Sequence, residues 1–153
     1  MEFILLADRP QARLTIADWY SREWGYLLEV PPADYFAVQL NDYLNRDAVP
    51  LIVMAVDGDV LMGAAQLKYR EMSIYPEKEF WLGGVYVDAP YRGRKIASAL
   101  VARIEDKARQ LGITRLHLQT EDLTGGLYTR SGWQATEQVD YRNTDVLVMT
   151  KEL

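Results

Sequence analysis

Residues 85 to 100 read Val-Tyr-Val-Asp-Ala-Pro-Tyr-Arg-Gly-Arg-Lys-Ile-Ala-Ser-Ala-Leu. An apolar strand ending at Val87 gives way to a short turn carrying Arg92 and Gly93, and the pattern places a helix from about Ala97. A helix start leaves several backbone N–H groups without intrahelical partners and carries partial positive charge. Arg92, Arg94 and Lys95 add side-chain charge around it. The chemistry such a segment suits is the holding of a phosphate or pyrophosphate by main-chain amides. The same spacing also describes an ordinary strand-to-helix connection with solvated arginines. It is not a P-loop, because no Gly-Lys-Ser/Thr closes a glycine-rich loop, and GxGxxG is absent as well.

The composition narrows the setting. The 153 residues suit one domain, 1–153, with one core. An apolar fraction of 49% and a charged fraction of 25% are those of a globular chain. There is no cysteine, which removes disulfides, thiolate metal sites and cysteine nucleophiles. No metal is expected either, since His117 is the lone histidine. A net charge of −5 argues against nucleic-acid binding, which needs a dense basic surface. Within that acidic background Arg92, Arg94, Lys95, Arg103, Lys107 and Arg109 cluster, which suggests a small polyanionic ligand. Arg103, Lys107 and Arg109 read as the wet face of a helix. No apolar run approaches the roughly 20 residues a membrane span needs. Met1–Leu6 lacks a basic n-region and reads as a first strand. The expected setting is cytoplasmic, away from the membrane.

The elements that must position the phosphate turn follow from periodicity. A strand near Glu2–Ala7 precedes helices over about Thr15–Trp24 and Pro32–Leu44. Leu51–Val56 and Val60–Lys68 flank Asp57-Gly58-Asp59, a tight-turn signal, and so form a hairpin. The charged loop Tyr69–Lys78 leads to a strand over Phe80–Val87. A helix over Ala97–Leu111 carries Leu100, Ile104, Ala108 and Leu111 on one stripe and stops at Gly112. Thr114–Thr120 alternates as a half-buried strand does. A short helix around Leu123–Arg130 and strands over Trp133–Val139 and Val146–Lys151 close the chain. The fold class is mixed α/β (an α+β mixed sheet), in the order β-α-α-β-β-β-α-β-α-β-β, with a right-handed β-α-β crossover at its centre.

Two elements, the phosphate turn and Leu127-Tyr128-Thr129-Arg130-Ser131-Gly132-Trp133 downstream of it, together resemble the GNAT superfamily of acetyl-CoA-dependent N-acetyltransferases. That family's phosphate motif, Arg/Gln-x-x-Gly-x-Gly/Ala, reads here Arg92-Gly93-Arg94-Lys95-Ile96-Ala97, with Lys95 where the family usually has glycine. The resemblance covers residues 51 to 153 well and residues 1 to 50 only in layout. It implies acetyl-CoA as co-substrate, with no metal. The strand backbone at Val85, Tyr86 and Val87 would pair with the pantetheine arm. Arg92, Gly93, Arg94, Lys95, Ile96, Ala97 and Ser98 would hold the pyrophosphate. Lysine at position 95 presents its N–H if φ stays negative, and its ammonium extends towards a phosphate.

The resemblance further implies attack of a neutral amine on a thioester, which needs a base, an oxyanion site and an acid for the leaving thiolate. Tyr128 matches the family tyrosine near the sulfur and is the expected acid; it would otherwise be a buried core ring. Several relatives carry a glutamate where this chain has Trp81, so Glu79, two residues earlier, becomes the candidate base through a water. A solvated strand end is the alternative for Glu79. Glu121 stands where relatives often carry an asparagine near the cofactor. His117 reads as a packed side chain on its strand. The acceptor is expected between the N-terminal helices and the middle strands, among Trp19, Tyr20, Trp24, Tyr26, Tyr35 and Tyr43 with Asp18, Glu23, Glu29 and Asp34. The Glu71–Lys78 loop would form another wall. Aromatics with carboxylates suit a cationic amine on a small molecule or peptide. Individually, Trp19, Tyr20 and Tyr43 also fit helix core positions. A catalytically silent CoA-binding module is the competing reading, a longer acyl donor is a further one, and the closing strands offer an edge for a homodimer.

Overall fold

The computed structural model describes residues 1–27 and 32–153. Eleven elements follow the expected order: β1 (Glu2–Leu5), α1 (Arg13–Trp24), α2 (Pro32–Gln39), β2 (Leu51–Asp57), β3 (Val60–Tyr69), β4 (Phe80–Val87), α3 (Ile96–Gln110), β5 (Arg115–Thr120), α4 (Gly126–Arg130), β6 (Gln134–Tyr141) and β7 (Thr144–Glu152). Several boundaries differ from the sequence reading, the first strand ending at Leu5 where it was expected to reach Ala7. The first helix begins at Arg13, after a short 3-10 turn over Pro10–Ala12. The second ends at Gln39 and tightens into a 3-10 turn over Leu40–Tyr43. The short helix begins at Gly126, because Asp122, Thr124 and Gly125 form a hydrogen-bonded turn ahead of it. The closing strands run on to a two-residue hairpin whose Arg142 and Asn143 are both left-handed, φ 52° and 65°. That is the twist tight hairpins require, supplied here by residues other than glycine.

The strands form one sheet in the order β1-β2-β3-β4-β5-β7-β6. All neighbours are antiparallel except β4 and β5, which run parallel and register at Trp81 and His117. β2 is apolar on both faces because both are covered. Its odd residues Leu51, Val53 and Ala55 pack with Leu100, Val101 and Ile104 of α3. Its even residues Ile52, Met54 and Val56 pack with Ile16, Trp19 and Tyr20 of α1 and Phe36 of α2. Each fully buried leucine, such as Leu100, contributes about 2 kcal/mol by leaving water. Gly112 ends α3 as expected, with φ 79°, its own N–H on Arg109 O and the Ile113 N–H on Ala108 O. No helix among the described residues is long and apolar enough to cross a membrane.

β4 contains the irregularity that shapes the site. On β3, Ala64 and Gln66 are two residues apart; their partners Tyr86 and Gly83 are three apart. The extra residue is a bulge, and Gly84 within it has φ 54°. One inserted residue reverses the alternation, so Leu82, Val85 and Val87 all pack on the α3 side while Tyr86 packs towards α1.

Candidate active site

Beyond Trp81 and His117 no β4–β5 pairing continues among the described residues, and a cleft of about 540 Å³ lies between the ends of the two strands. Gly84 and Val85 of β4, Leu118–Thr120 of β5, Tyr20 and Trp24 of α1 and Tyr128 of α4 are among its lining. The bulge is held from below by α1. The Tyr20 hydroxyl donates to Gly84 O at 2.7 Å, and burial pushes that hydroxyl far above its ordinary range, so it remains a donor.

Tyr128 is placed by the end of its helix. Gly132, at φ 90°, reverses the chain so that Trp133 N–H reaches Tyr128 O at 3.0 Å, and the two rings meet edge to face at 6.3 Å. Trp133 is fixed in turn: its Nε1 donates to the buried Glu105 of α3 at 3.2 Å, and Lys151 of β7 donates to the same carboxylate at 2.7 Å. Burial, and then the negative charge of Glu71, push the Tyr128 hydroxyl up to about 12. At neutral pH it therefore holds its proton. The resemblance singled out this residue as an acid, and the structure sets it in the cleft.

The phosphate turn continues from β4. Val85 lines the cleft, Val87 is buried against α3, and Tyr86 stacks on Trp19 at 5.1 Å. Arg92 is tied back by its Nε to Val87 O at 2.8 Å, with its guanidinium 5.4 Å above the Tyr86 ring. Arg94 lies over Tyr91 at 5.8 Å. These two arginines brace the turn. Lys95 departs from the condition set for it above: its φ is +62°, in the left-handed region that the family's glycine would occupy without strain. The lysine therefore keeps the glycine conformation and carries its cost. Ala99 N–H makes the first helical bond, to Lys95 O at 3.1 Å, so the amides of Ile96, Ala97 and Ser98 precede the ladder. Ile96 is buried and anchors the helix start, while Ser98 is exposed. A Cβ on Gly93 would meet no atom within 4 Å, so the turn is open where an anion would approach. The turn has the amides and the room that a pyrophosphate needs.

Of the two candidate glutamates, Glu121 lines the cleft and accepts from the Tyr26 hydroxyl at 2.9 Å, which ties the end of β5 to the turn after α1. Glu79 is exposed ahead of β4 and is not among the lining residues; its carbonyl accepts from Arg70 N–H at 2.8 Å. Trp81 is fully buried, donates to Lys78 O at 2.7 Å and stacks near His117 at 5.5 Å. His117 is buried as well, and burial, then the charges of Lys78 and Arg115, bring its imidazole down to about 4. It is a packed, neutral side chain, as its alternating strand suggested.

Among the acceptor-side residues, Tyr20, Trp24 and Tyr35 line the cleft, whereas Trp19 and Tyr43 are core. Glu29 and the Asp34 side chain lie outside the described residues. Sequence reasoning missed Gln66 and Lys68 as cleft residues, and of the Glu71–Lys78 loop expected as a wall only Glu71 is among the lining. The signal was there for Gln66 and Lys68. Polar residues at alternate positions of an otherwise buried strand, on the face α1 and α2 cover, have to serve something.

The sequence matches the Acetyltransferase (GNAT) family over residues 13–133. Comparison with curated proteins gave no match. Among solved structures, the fold is similar to an aminoglycoside 6'-acetyltransferase type Ii (20% identity, 99% of this chain and 97% of that one, TM-score 0.77). It is similar as well to an aminoglycoside 6'-N-acetyltransferase complexed with coenzyme A (16% identity, 99% and 97%, TM-score 0.78). A third is the ribosomal-protein-alanine N-acetyltransferase from Brucella melitensis (21% identity, 100% of both chains, TM-score 0.73). A seven-stranded mixed sheet with a bulged central strand, a turn from that strand into a helix start and a match over most of the chain lead to one conclusion: this protein belongs to the GNAT acetyltransferase family.

Proposed function

We propose that this protein is an N-acetyltransferase that moves an acetyl group from acetyl-CoA to a primary amine of a small molecule or peptide, by direct attack. The observation that carries the reading is the juxtaposition of the bulged end of β4, which leads into the phosphate turn, with Tyr128 across the same cleft. The amides of Ile96–Ser98 and the exposed Lys95 would receive the pyrophosphate, and the Val85–Val87 backbone the pantetheine arm. When bound, acetyl-CoA supplies an activated thioester. The bulge interrupts the β3–β4 ladder where the cleft begins, and a main-chain N–H released from a ladder is a suitable partner for developing oxyanion charge. The Tyr20 bond to Gly84 O fixes that backbone in place. Tyr128 would protonate the departing sulfur, since its hydroxyl carries its proton at neutral pH. The structure of a relative with coenzyme A bound supports the choice of donor.

The acceptor side favours a cation. Glu71, Glu121 and Asp122 line it against Lys68 and Arg142, beside the aromatic faces of Trp24 and Tyr35. Calorimetric titration with CoA, followed by thiol release from acetyl-CoA with aminoglycosides, polyamines, amino acids and peptides, tests the reading. Binding with turnover of at least one amine class is expected. Absence of heat at millimolar CoA overturns the donor assignment. Binding without turnover on every amine assigns the chain to a silent CoA-binding role.

A further inference from the structure

The base that amine attack requires has so far no residue. Glu79 lies outside the cleft lining, and the position relatives use is filled by the buried Trp81. The carboxylates inside the cleft are not equivalent. Glu121 is occupied by the Tyr26 hydroxyl. Asp122 accepts from the N–H and hydroxyl of Thr124 at 3.0 and 2.6 Å. Glu71 differs. Its Oε1 lies 3.4 Å from Lys68 Nζ, and its Oε2 is buried without a hydrogen-bond partner among the described residues. Folded proteins rarely leave a buried carboxylate oxygen unmatched, and a catalytic or ligand-binding role is a recurrent reason when they do.

The place of Glu71 suits such a role. Oε1 is 2.9 Å from where a Cβ on Gly83 would stand, so the absence of a side chain there, next to the bulge, admits the carboxylate against the strand. Glu71 and Tyr128 line the same cleft from opposite elements, the loop after β3 and the helix α4. Lys68 is held between Glu71 and the Tyr43 hydroxyl. Burial presses its ammonium down, the neighbouring negative groups outweigh this, and it stays charged. Lys68 therefore anchors the carboxylate and is no base itself.

The geometry points to Glu71 as the residue that receives the acceptor: its carboxylate, paired with Lys68 through Oε1, accepts a hydrogen bond from the incoming ammonium and takes its proton. This rests on the acetyltransferase reading above. An alkyl ammonium with a pKa near 10.4 is almost wholly protonated at neutral pH, so a proton has to leave before the nitrogen has a free pair. Glu71 takes that proton and passes it to solvent. The nitrogen pair then forms the C–N bond to the thioester carbonyl carbon and the C–S bond breaks. The sulfur is protonated by Tyr128, which regains a proton from the nitrogen through the cleft. The sum is amide, thiol and one released proton. In this chain the base has moved from the central strand to the loop before it, and the vacated strand position has become core.

Glu71→Gln and Glu71→Asp test this against wild type with a turned-over amine. The Gln variant is expected to lose about a hundredfold in kcat at neutral pH. Its calorimetric affinity for CoA stays within about twofold, because the donor is held by main chain elsewhere. The deficit shrinks as pH rises towards the amine's own pKa, where solvent supplies free amine. Glu71→Asp keeps a carboxylate and recovers part of the loss. Wild-type kcat in the Gln variant, or a deficit constant with pH, overturns the role of Glu71 and leaves the acetyltransferase reading standing. A wild-type protein inert towards every amine overturns both. Should Glu71→Gln lose CoA binding through misfolding, Glu71→Asp decides: lowered kcat with unchanged CoA affinity supports the role, and wild-type kcat removes it.

Discussion

The two sides of the cleft are made differently. The side proposed for the donor is one contiguous run of main chain, from the bulge at Gly84 through Val85–Val87 to the amides of Ile96–Ser98, braced by Arg92 on Val87 O. The side proposed for the acceptor is an assembly of side chains from separate elements: Tyr20 and Trp24 on α1, Gln66 and Lys68 on β3, and Glu71 on the loop after it. Main-chain recognition tolerates side-chain change as long as the backbone path is kept. Side-chain recognition tolerates backbone drift and fails with single substitutions. The donor side can therefore be common to a family while the acceptor side varies from chain to chain.

The sharpest test compares two glycines of this backbone run, one in the bulge and one in the turn. At Gly84 a Cβ would lie 2.6 Å from the Tyr20 hydroxyl and 2.8 Å from Gln66 Cδ, in addition to the strain of φ 54°. At Gly93 φ is 82° but no atom lies within 4 Å of the added carbon. Gly84→Ala is expected to cost about 3 kcal/mol, from overpacking plus strain, and to abolish turnover. Gly93→Ala is expected to cost about 1 kcal/mol, from strain alone. Urea unfolding of both variants gives the comparison; equal costs would break it.

Tyr128→Phe separates chemistry from binding. The hydroxyl is the group argued to protonate sulfur, while the ring packs on Trp133. Removing it should lower kcat by about ten- to a hundredfold and leave CoA affinity and the urea midpoint unchanged. Unchanged turnover would return Tyr128 to a packing role.

What could be read in the sequence follows the same division. The turn at Arg92–Ser98 was legible as a strand-to-helix turn because contiguous residue types set its backbone path. The helix stop at Gly112 and the Tyr128–Trp133 element were legible for the same reason. The role proposed for Glu71 was not. It follows Lys68 by three residues and sits at the head of a loop, with nothing local to distinguish it from Glu77 or Glu79. Only the folded sheet, with Gly83 opposite and Tyr128 across the cleft, gives it a role. The bulge that reverses the faces of β4 was also invisible, although a Gly-Gly pair inside an apolar strand is where one would form.

The join between the two sides, where β4 meets β5, carries a pH signature. His117 is buried against Trp81, and its folded pKa is brought down to about 4 from an ordinary 6.5, burial being the main cause. Between those values the unfolded chain binds the proton and the folded one does not. The stabilisation is thus fully present above pH 6.5 and is lost as pH falls towards 4. Wild type should lose about 1–2 kcal/mol more than His117→Leu between neutral pH and pH near 4.5, read from urea midpoints at each pH. Parallel curves for the two proteins would show that the imidazole does not titrate with unfolding.

The smallest effect tests whether the donor side is indifferent to side chains. Lys95 sits at φ +62° with no side-chain capping bond, in a conformation that disfavours any residue with a Cβ. Lys95→Gly relieves that strain and loses one exposed cation. The relief should raise stability by about 1 kcal/mol, partly offset by the greater freedom of glycine in the unfolded chain. If main-chain amides hold the pyrophosphate, CoA affinity changes by no more than about threefold, and the residual change falls away with added salt, as a screened surface charge should. If the lysine is retained in a strained conformation because its ammonium grips a phosphate, the variant will be more stable yet bind CoA at least about tenfold more weakly. Stability and affinity moving in opposite directions would transfer part of donor recognition from backbone to side chain, and the contrast between the two walls of the cleft would narrow accordingly.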